Sequence, residues 1–175
     1  MLKDYKRSPD ARVRERHLLQ VGAILHRFLF NHRDHIAAAA QSYWDFVTIV
    51  PTKGQREESH PLEQAILLGE PLRDEYERLL EPADVGRIDR AASSDRGYKA
   101  SNAEGKKVLL LDDTFTTGAT FQSAASALTL GGAQVVAGVV IGRVVDTSNP
   151  DYPEKLELWE QQRLVRFSFD TCCLE

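Results

Sequence analysis

Cysteine is scarce in this chain, and its two cysteines, Cys172 and Cys173, are adjacent. Neighbouring thiols rarely make a structural staple and lack the spacing of a usual zinc site, so a reducing, cytoplasmic setting is expected. Long apolar runs are missing too. None approaches the roughly 20 residues that span a bilayer, and the opening MLKDYKRSPD lacks the apolar stretch of a secretory signal. Nor does either sign of charge dominate. Lysine and arginine number 22 against 26 acidic residues, a net charge of -4, which gives no general attraction for nucleic acid or anionic membrane. No internal repeat or heptad run occurs, and both the Lys-bearing phosphate loop and the dinucleotide G-x-G-x-x-G pattern are absent.

What is present suits one globular domain. The 175 residues, 42% hydrophobic and 27% charged, can bury a sizeable core. Residues 1–42 read as a helical region: Leu18, Gly22, Leu25 and Leu29 recur at helical spacing over 12–30, with Val21 and Phe28 widening the stripe, and an alanine-rich run predicts a second short helix over 35–41. The β-branched run 46–50 predicts a strand, followed by a polar turn over 52–56. Pro61 opens a helix to about 68, and another is expected over 72–80. Residues 81–107 are mostly polar and read as an excursion from the domain, with weak strand character near 85–88.

The best-defined unit comes next. Val108-Leu-Leu-Leu111 is a short apolar run suited to a central parallel strand buried on both faces. A polar loop over 112–120, a helix over 121–130 closed by Gly131 and Gly132, and a strand over 135–141 follow. This βαβ order puts the acidic loop at the carboxyl edge of a parallel sheet flanked by helices. Beyond it, a short helix is expected over 155–161 and a strand over 164–169.

The loop has the chemistry to hold a ribose bearing a 5′-phosphate. Such a phosphate needs converging donors, and the hydroxyls and backbone N–H groups of Thr116, Thr117, Gly118, Ala119 and Thr120 offer them at a helix N-terminus. Gly118 lets the backbone approach without a Cβ. The vicinal hydroxyls need acceptors, and Asp112 and Asp113 supply carboxylates that can also orient water around a divalent cation. Alternatively, these acids cap a turn and the threonines cap a helix; the unbroken string between an apolar strand and a helix argues for the site.

The string Val108-Leu-Leu-Leu-Asp-Asp-Thr-Phe-Thr-Thr-Gly-Ala-Thr120 resembles the phosphoribosyl pyrophosphate (PRPP) motif of type I phosphoribosyltransferases. The resemblance implies a parallel sheet with a small irregular hood, and transfer of a phosphoribosyl group to a nitrogen nucleophile, a nucleobase by family analogy, with release of pyrophosphate. It implies that Asp112 and Asp113 contact the ribose hydroxyls, that Thr114 and Thr116 through Thr120 surround the sugar phosphate, and that magnesium arrives largely on the diphosphate. Thr52, Lys53 and Gly54 stand where the family binds the pyrophosphate end, Lys53 offering charge and Gly54 exposed N–H groups; a solvated turn is the other reading. Arg56 either reaches that anion or faces solvent.

Asp112, Asp113 and Lys53 are expected to act by electrostatic positioning rather than through a covalent intermediate. The excursion stands where the family has a mobile loop, in which Arg87, Arg90, Arg96, Lys99, Lys106 and Lys107 would screen the leaving group and Tyr98 would cover the site; a polar surface loop is the alternative. His60 either begins a helix or serves the reaction. Hypoxanthine- and guanine-specific members carry an acid four positions after the first motif acid, where this chain has Thr116, and that departure argues against such a substrate. The resemblance also implies a homodimer, to which the apolar stripe over 12–30 could contribute. A PRPP- or nucleotide-responsive regulator without catalysis is the alternative function.

Overall fold

The computed structural model describes the chain except for residues 1, 3, 53–59, 84–96, 148–152, 167, 173 and 175. It has a mixed α/β fold: a small parallel sheet flanked by helices, and a separate antiparallel pair of strands. In chain order the elements are α1 (Asp4–Arg7), α2 (Ala11–Ala40), β1 (Phe46–Ile49), α3 (Pro61–Ile66), α4 (Leu72–Glu75), β2 (Leu80–Pro82), β3 (Tyr98–Ala100), β4 (Lys107–Phe115), α5 (Ala119–Leu130), β5 (Gln134–Arg143) and α6 (Pro153–Gln162). The parallel sheet runs β1-β4-β5 with β4 central, while β2 and β3 pair antiparallel. Among the described residues no helix is long and apolar enough to cross a membrane.

The two N-terminal helices expected from the sequence are one. Asp10 caps α2 by accepting from the Arg12 N–H at 2.8 Å, and the helix continues 30 residues until Gln41 turns left-handed at φ 55°. Val21, Leu25, Leu29, Ile36 and Ala37 form its buried stripe. Gly22 lies where α2 meets α3, since a Cβ there would come within 2.5 Å of Leu68 and 3.2 Å of the Ala65 carbonyl. The stripe proposed for a dimer contact is therefore spent inside the chain.

Two further expectations are corrected. The helix over 72–80 stops at Glu75, because Tyr76 is already extended and bridges to Val47 beside β1. The strand expected over 164–169 is absent among the described residues; α6 gives way to turns and bends. The strand character expected near 85–88 lies outside the described residues.

Strand β4 organises the core by alternation. Leu109 and Leu111 enter a cluster with Leu25, Leu29, Leu62 and Ile66 from α2 and α3. Val108 and Leu110 enter a second cluster with Leu80 and Tyr98 from the antiparallel pair and Ala124 and Leu128 from α5. All four β4 residues are at most 1% exposed, as befits a strand covered on both faces.

Candidate functional site

β4 does not end at the apolar run. It continues through Asp112, Asp113 and Thr114 to Phe115, with Asp112 opposite Val140 and Phe115 opposite Arg143 of β5. The acidic pair is thus strand, not loop, and the pleat turns consecutive side chains to opposite faces. Asp112 shares the α5 face with Val108 and Leu110; Asp113 shares the α2 face with Leu109 and Leu111.

On the α5 side, Asp112, Thr114, Phe115, Thr116, Thr117, Gly118, Thr120 and Phe121 line an open cleft of about 240 Å³. It lies at the carboxyl edge of the central parallel strand, where open α/β sheets bind ligands. Gly118 makes the turn into α5 at φ 84°, in the left-handed region. A Cβ there would also meet the Phe115 ring at 2.5 Å, so both backbone and space call for glycine. Having no side chain, Gly118 provides no side-chain cap, and the first turn of α5 carries no acidic residue. The first-turn N–H groups beyond Ala119, which makes only a long 3.4 Å bond to Thr117 Oγ1, suit an anion.

Asp112 is the carboxylate of this cleft. Its Oδ1 accepts from the Asp113 N–H at 2.8 Å. Burial, reinforced by the Asp113 charge, pushes its pKa up to about 6; the backbone N–H groups of Asp113 and Thr114 and the charge of Lys6 oppose that rise. Tyr98, buried in the neighbouring core, has its pKa pushed up to about 12 by burial and the Asp112 charge. Asp112 and the hydroxyl-bearing Thr114, Thr116, Thr117 and Thr120 line the cleft with oxygen atoms, the ligand type that hard divalent cations take.

Asp113 does not line the cleft. Its carboxylate is 1% exposed, accepts from the Tyr5 hydroxyl and is ion-paired with Lys6 of α1. Tyr5, 2% exposed, packs with Val21 and Ala65 in a third cluster, flanked by Leu2 and Ile141. The N-terminal segment thereby closes over one acid of the pair while the other opens toward α5.

Of the other expected site residues, Thr52 is half-buried, with its hydroxyl 2.6 Å from His60 Nε2. His60 Nδ1 accepts the Leu62 N–H at 3.1 Å and caps α3, consistent with its reading as the start of a helix. Lys53, Gly54 and Arg56 lie outside the described residues, as do Arg87, Arg90 and Arg96 of the excursion. Lys106 and Lys107 stand at the amino end of β4; Lys106 pairs with Glu77 at 2.5 Å and lies over the Phe46 ring. Eight strand steps separate Lys107 from Phe115, roughly 26 Å at strand rise, so this lysine pair is at the wrong edge to screen a ligand in the cleft.

The sequence reading missed Arg143, Tyr5 and Lys6. Arg143, paired with Phe115 on β5, places its guanidinium 5.9 Å from the Phe115 ring and adds a cation beside the loop. Tyr5 and Lys6 carry no local signal of a site, and only the tertiary fold reveals their contact with Asp113. Comparisons with protein-family models, curated proteins and solved structures give no match to this chain.

Proposed function

We propose that the chain is a type I phosphoribosyltransferase-like protein that binds magnesium–PRPP and transfers its phosphoribosyl group to a nitrogen nucleophile, a nucleobase by the family resemblance. The observation that carries this reading is the cleft at the end of β4, where Asp112, four threonines and Gly118 surround the amino end of α5. Thr116, Thr117, Thr120 and the first-turn N–H groups would hold the 5′-phosphate. Asp112 would accept from a ribose hydroxyl, and Lys53 and its loop would meet the diphosphate. In the reaction the bond from ribose C1 to pyrophosphate breaks as a bond from C1 to nitrogen forms, and pyrophosphate leaves. The protein contributes position and electrostatic complementarity. Magnesium, held mainly through the diphosphate, would supply charge neutralisation to that group when bound. By the same resemblance we propose a homodimer, a state that sedimentation at micromolar concentration measures.

One observation favours a second reading. Asp113, the partner acid in the resemblance, is held by Tyr5 and Lys6 on the opposite face. A chain with one carboxylate in the cleft could bind PRPP and respond to it without turnover. Pyrophosphate release from magnesium–PRPP, measured with separate nucleobases, tests the leading reading: release with one base supports transfer. PRPP binding without release across the bases supports the regulatory reading, and absence of binding contradicts both.

A further inference from the structure

On the α2 side of the molecule, away from the α5 cleft, two histidines and a cysteine converge. His32 and His35 are three residues apart on α2 and share a face of the helix, with ring centroids 5.7 Å apart. Cys172 reaches them from the other end of the chain. Its approach is fixed by Asn31, which donates through Nδ2 to the Phe169 carbonyl at 3.1 Å, and by Arg27, whose guanidinium lies 4.6 Å from the Phe169 ring centre. One donor atom from each of His32, His35 and Cys172 lies within 4.8 Å of the others.

Two details distinguish this cluster from a chance meeting. His32 is 3% exposed, and its Nδ1 is buried without a hydrogen-bond partner among the described residues. A neutral imidazole with an unmet ring nitrogen is costly in a protein interior, yet an unprotonated ring nitrogen is the form that ligates a metal. Cys172 is 5% exposed, and its sulfur accepts the Leu174 N–H at 3.5 Å. Phe28 packs on the His32 ring at 4.9 Å and provides an apolar wall.

We propose that His32, His35 and Cys172 bind one zinc ion and thereby fasten the C-terminal segment to α2. Two imidazoles and a thiolate are borderline-soft ligands that suit zinc, whereas magnesium and calcium require oxygen. Zinc–nitrogen bonds of about 2.0–2.1 Å and a zinc–sulfur bond of about 2.3 Å put tetrahedral ligands roughly 3.3–3.7 Å apart. Ligation therefore requires the side chains to draw inward by up to roughly 1.5 Å from their observed spacing. Binding releases the thiol proton of Cys172 and leaves the fourth position for water or another ligand. Sequence spacing hid the site because its ligands join a helix near one end of the chain to a segment near the other. This inference is independent of phosphoribosyl transfer.

The test uses the full chain, stripped with chelator and titrated with zinc in competition with a chromophoric chelator, then with cobalt(II) as a spectroscopic substitute. One zinc per chain is expected, with a near-ultraviolet thiolate-to-cobalt band and intense visible bands of tetrahedral cobalt. Loss of an outer-sphere partner alone weakens metal sites by about 10–100-fold, so Cys172→Ser should lower zinc affinity by at least about 100-fold and abolish the near-ultraviolet band. His35→Ala alters an exposed position and should weaken zinc similarly while circular dichroism shows the helices intact. Failure of the wild-type chain to take up stoichiometric zinc, or unchanged affinity and cobalt spectrum in both variants, would overturn the site.

Discussion

The Tyr5 hydroxyl donates to the buried carboxylate of Asp113, joining the start of the chain to a residue 108 positions later on the central strand. Lys6 pairs with the same carboxylate. A buried charge held in this way is costly to leave unmatched, so α1 is tied to the sheet by chemistry as well as by packing. Tyr5→Phe keeps the ring and removes the donor. It should destabilise the protein by about 1.5–3 kcal/mol in urea denaturation at pH 7. Combined with Asp113→Asn, its effect should shrink, because the interaction it removes is already weakened. Full additivity would show that the hydroxyl and carboxylate do not interact in solution.

Asp112 should have an opposite relation to stability. Its folded pKa, about 6, lies above the ordinary 3.8 because burial disfavours the charged form. Between those values the folded chain binds more protons than the unfolded chain, so this group's contribution to stability falls as pH rises from about 4 to 6. The penalty is fully present above that window. Asp112→Asn removes it while its amide oxygen can still accept the Asp113 N–H. The variant should gain about 1–2 kcal/mol at pH 7, after allowance for solvent screening, and much less at pH 4. Chemical denaturation at both values checks this, and an equal effect at the two would contradict the buried-carboxylate account. The same substitution should weaken PRPP binding, making Asp112 a residue kept at a cost to stability.

Gly118 combines φ 84° with contact between its missing Cβ and the Phe115 ring. Gly118→Ala should therefore cost at least about 1–2 kcal/mol from backbone conformation alone. It should also push Phe115 into the cleft and reduce PRPP affinity. Thermal unfolding and calorimetry measure the two effects; wild-type values for both would mean that the turn accommodates a side chain freely.

Much of the core was legible because its signals are local. The run from Val108 to Leu111 is apolar at every position, and that pattern belongs to a strand covered on both faces. Gly118, followed by an alanine-rich segment, likewise announced the turn into α5. The end of β4 was less legible. Asp112 and Asp113 look like loop residues by composition, but pairing with β5 carries the strand onward to Phe115. That pairing separates the acids to opposite faces, a result that adjacency in sequence conceals.

The N-terminal region shows the same limit. Helical spacing marked Leu25 and Leu29 as buried, but not that the helix runs unbroken through residues 31–34, from the Asp10 cap to the left-handed Gln41. The contact of Tyr5 with Asp113 and the approach of Cys172 to His32 are long-range and have no sequence period. Of the cleft lining, Asp112, Thr114, Thr116, Thr117, Gly118 and Thr120 stand together in the sequence, whereas the place of Arg143 beside Phe115 needed the strand register.

The most direct test of the phosphoribosyl reading is calorimetric titration of magnesium–PRPP into the wild-type chain and Thr117→Val. This substitution removes a hydroxyl lining the cleft while retaining a β-branched side chain. Loss of a hydrogen bond to the charged 5′-phosphate should cost about 1.5–3 kcal/mol, or roughly 10- to 150-fold in affinity. The account predicts one PRPP site per wild-type chain and that degree of weakening in a variant whose fold is unchanged. No PRPP binding by the wild type, or equal affinity in the folded variant, would contradict the assignment of this cleft as its phosphate site.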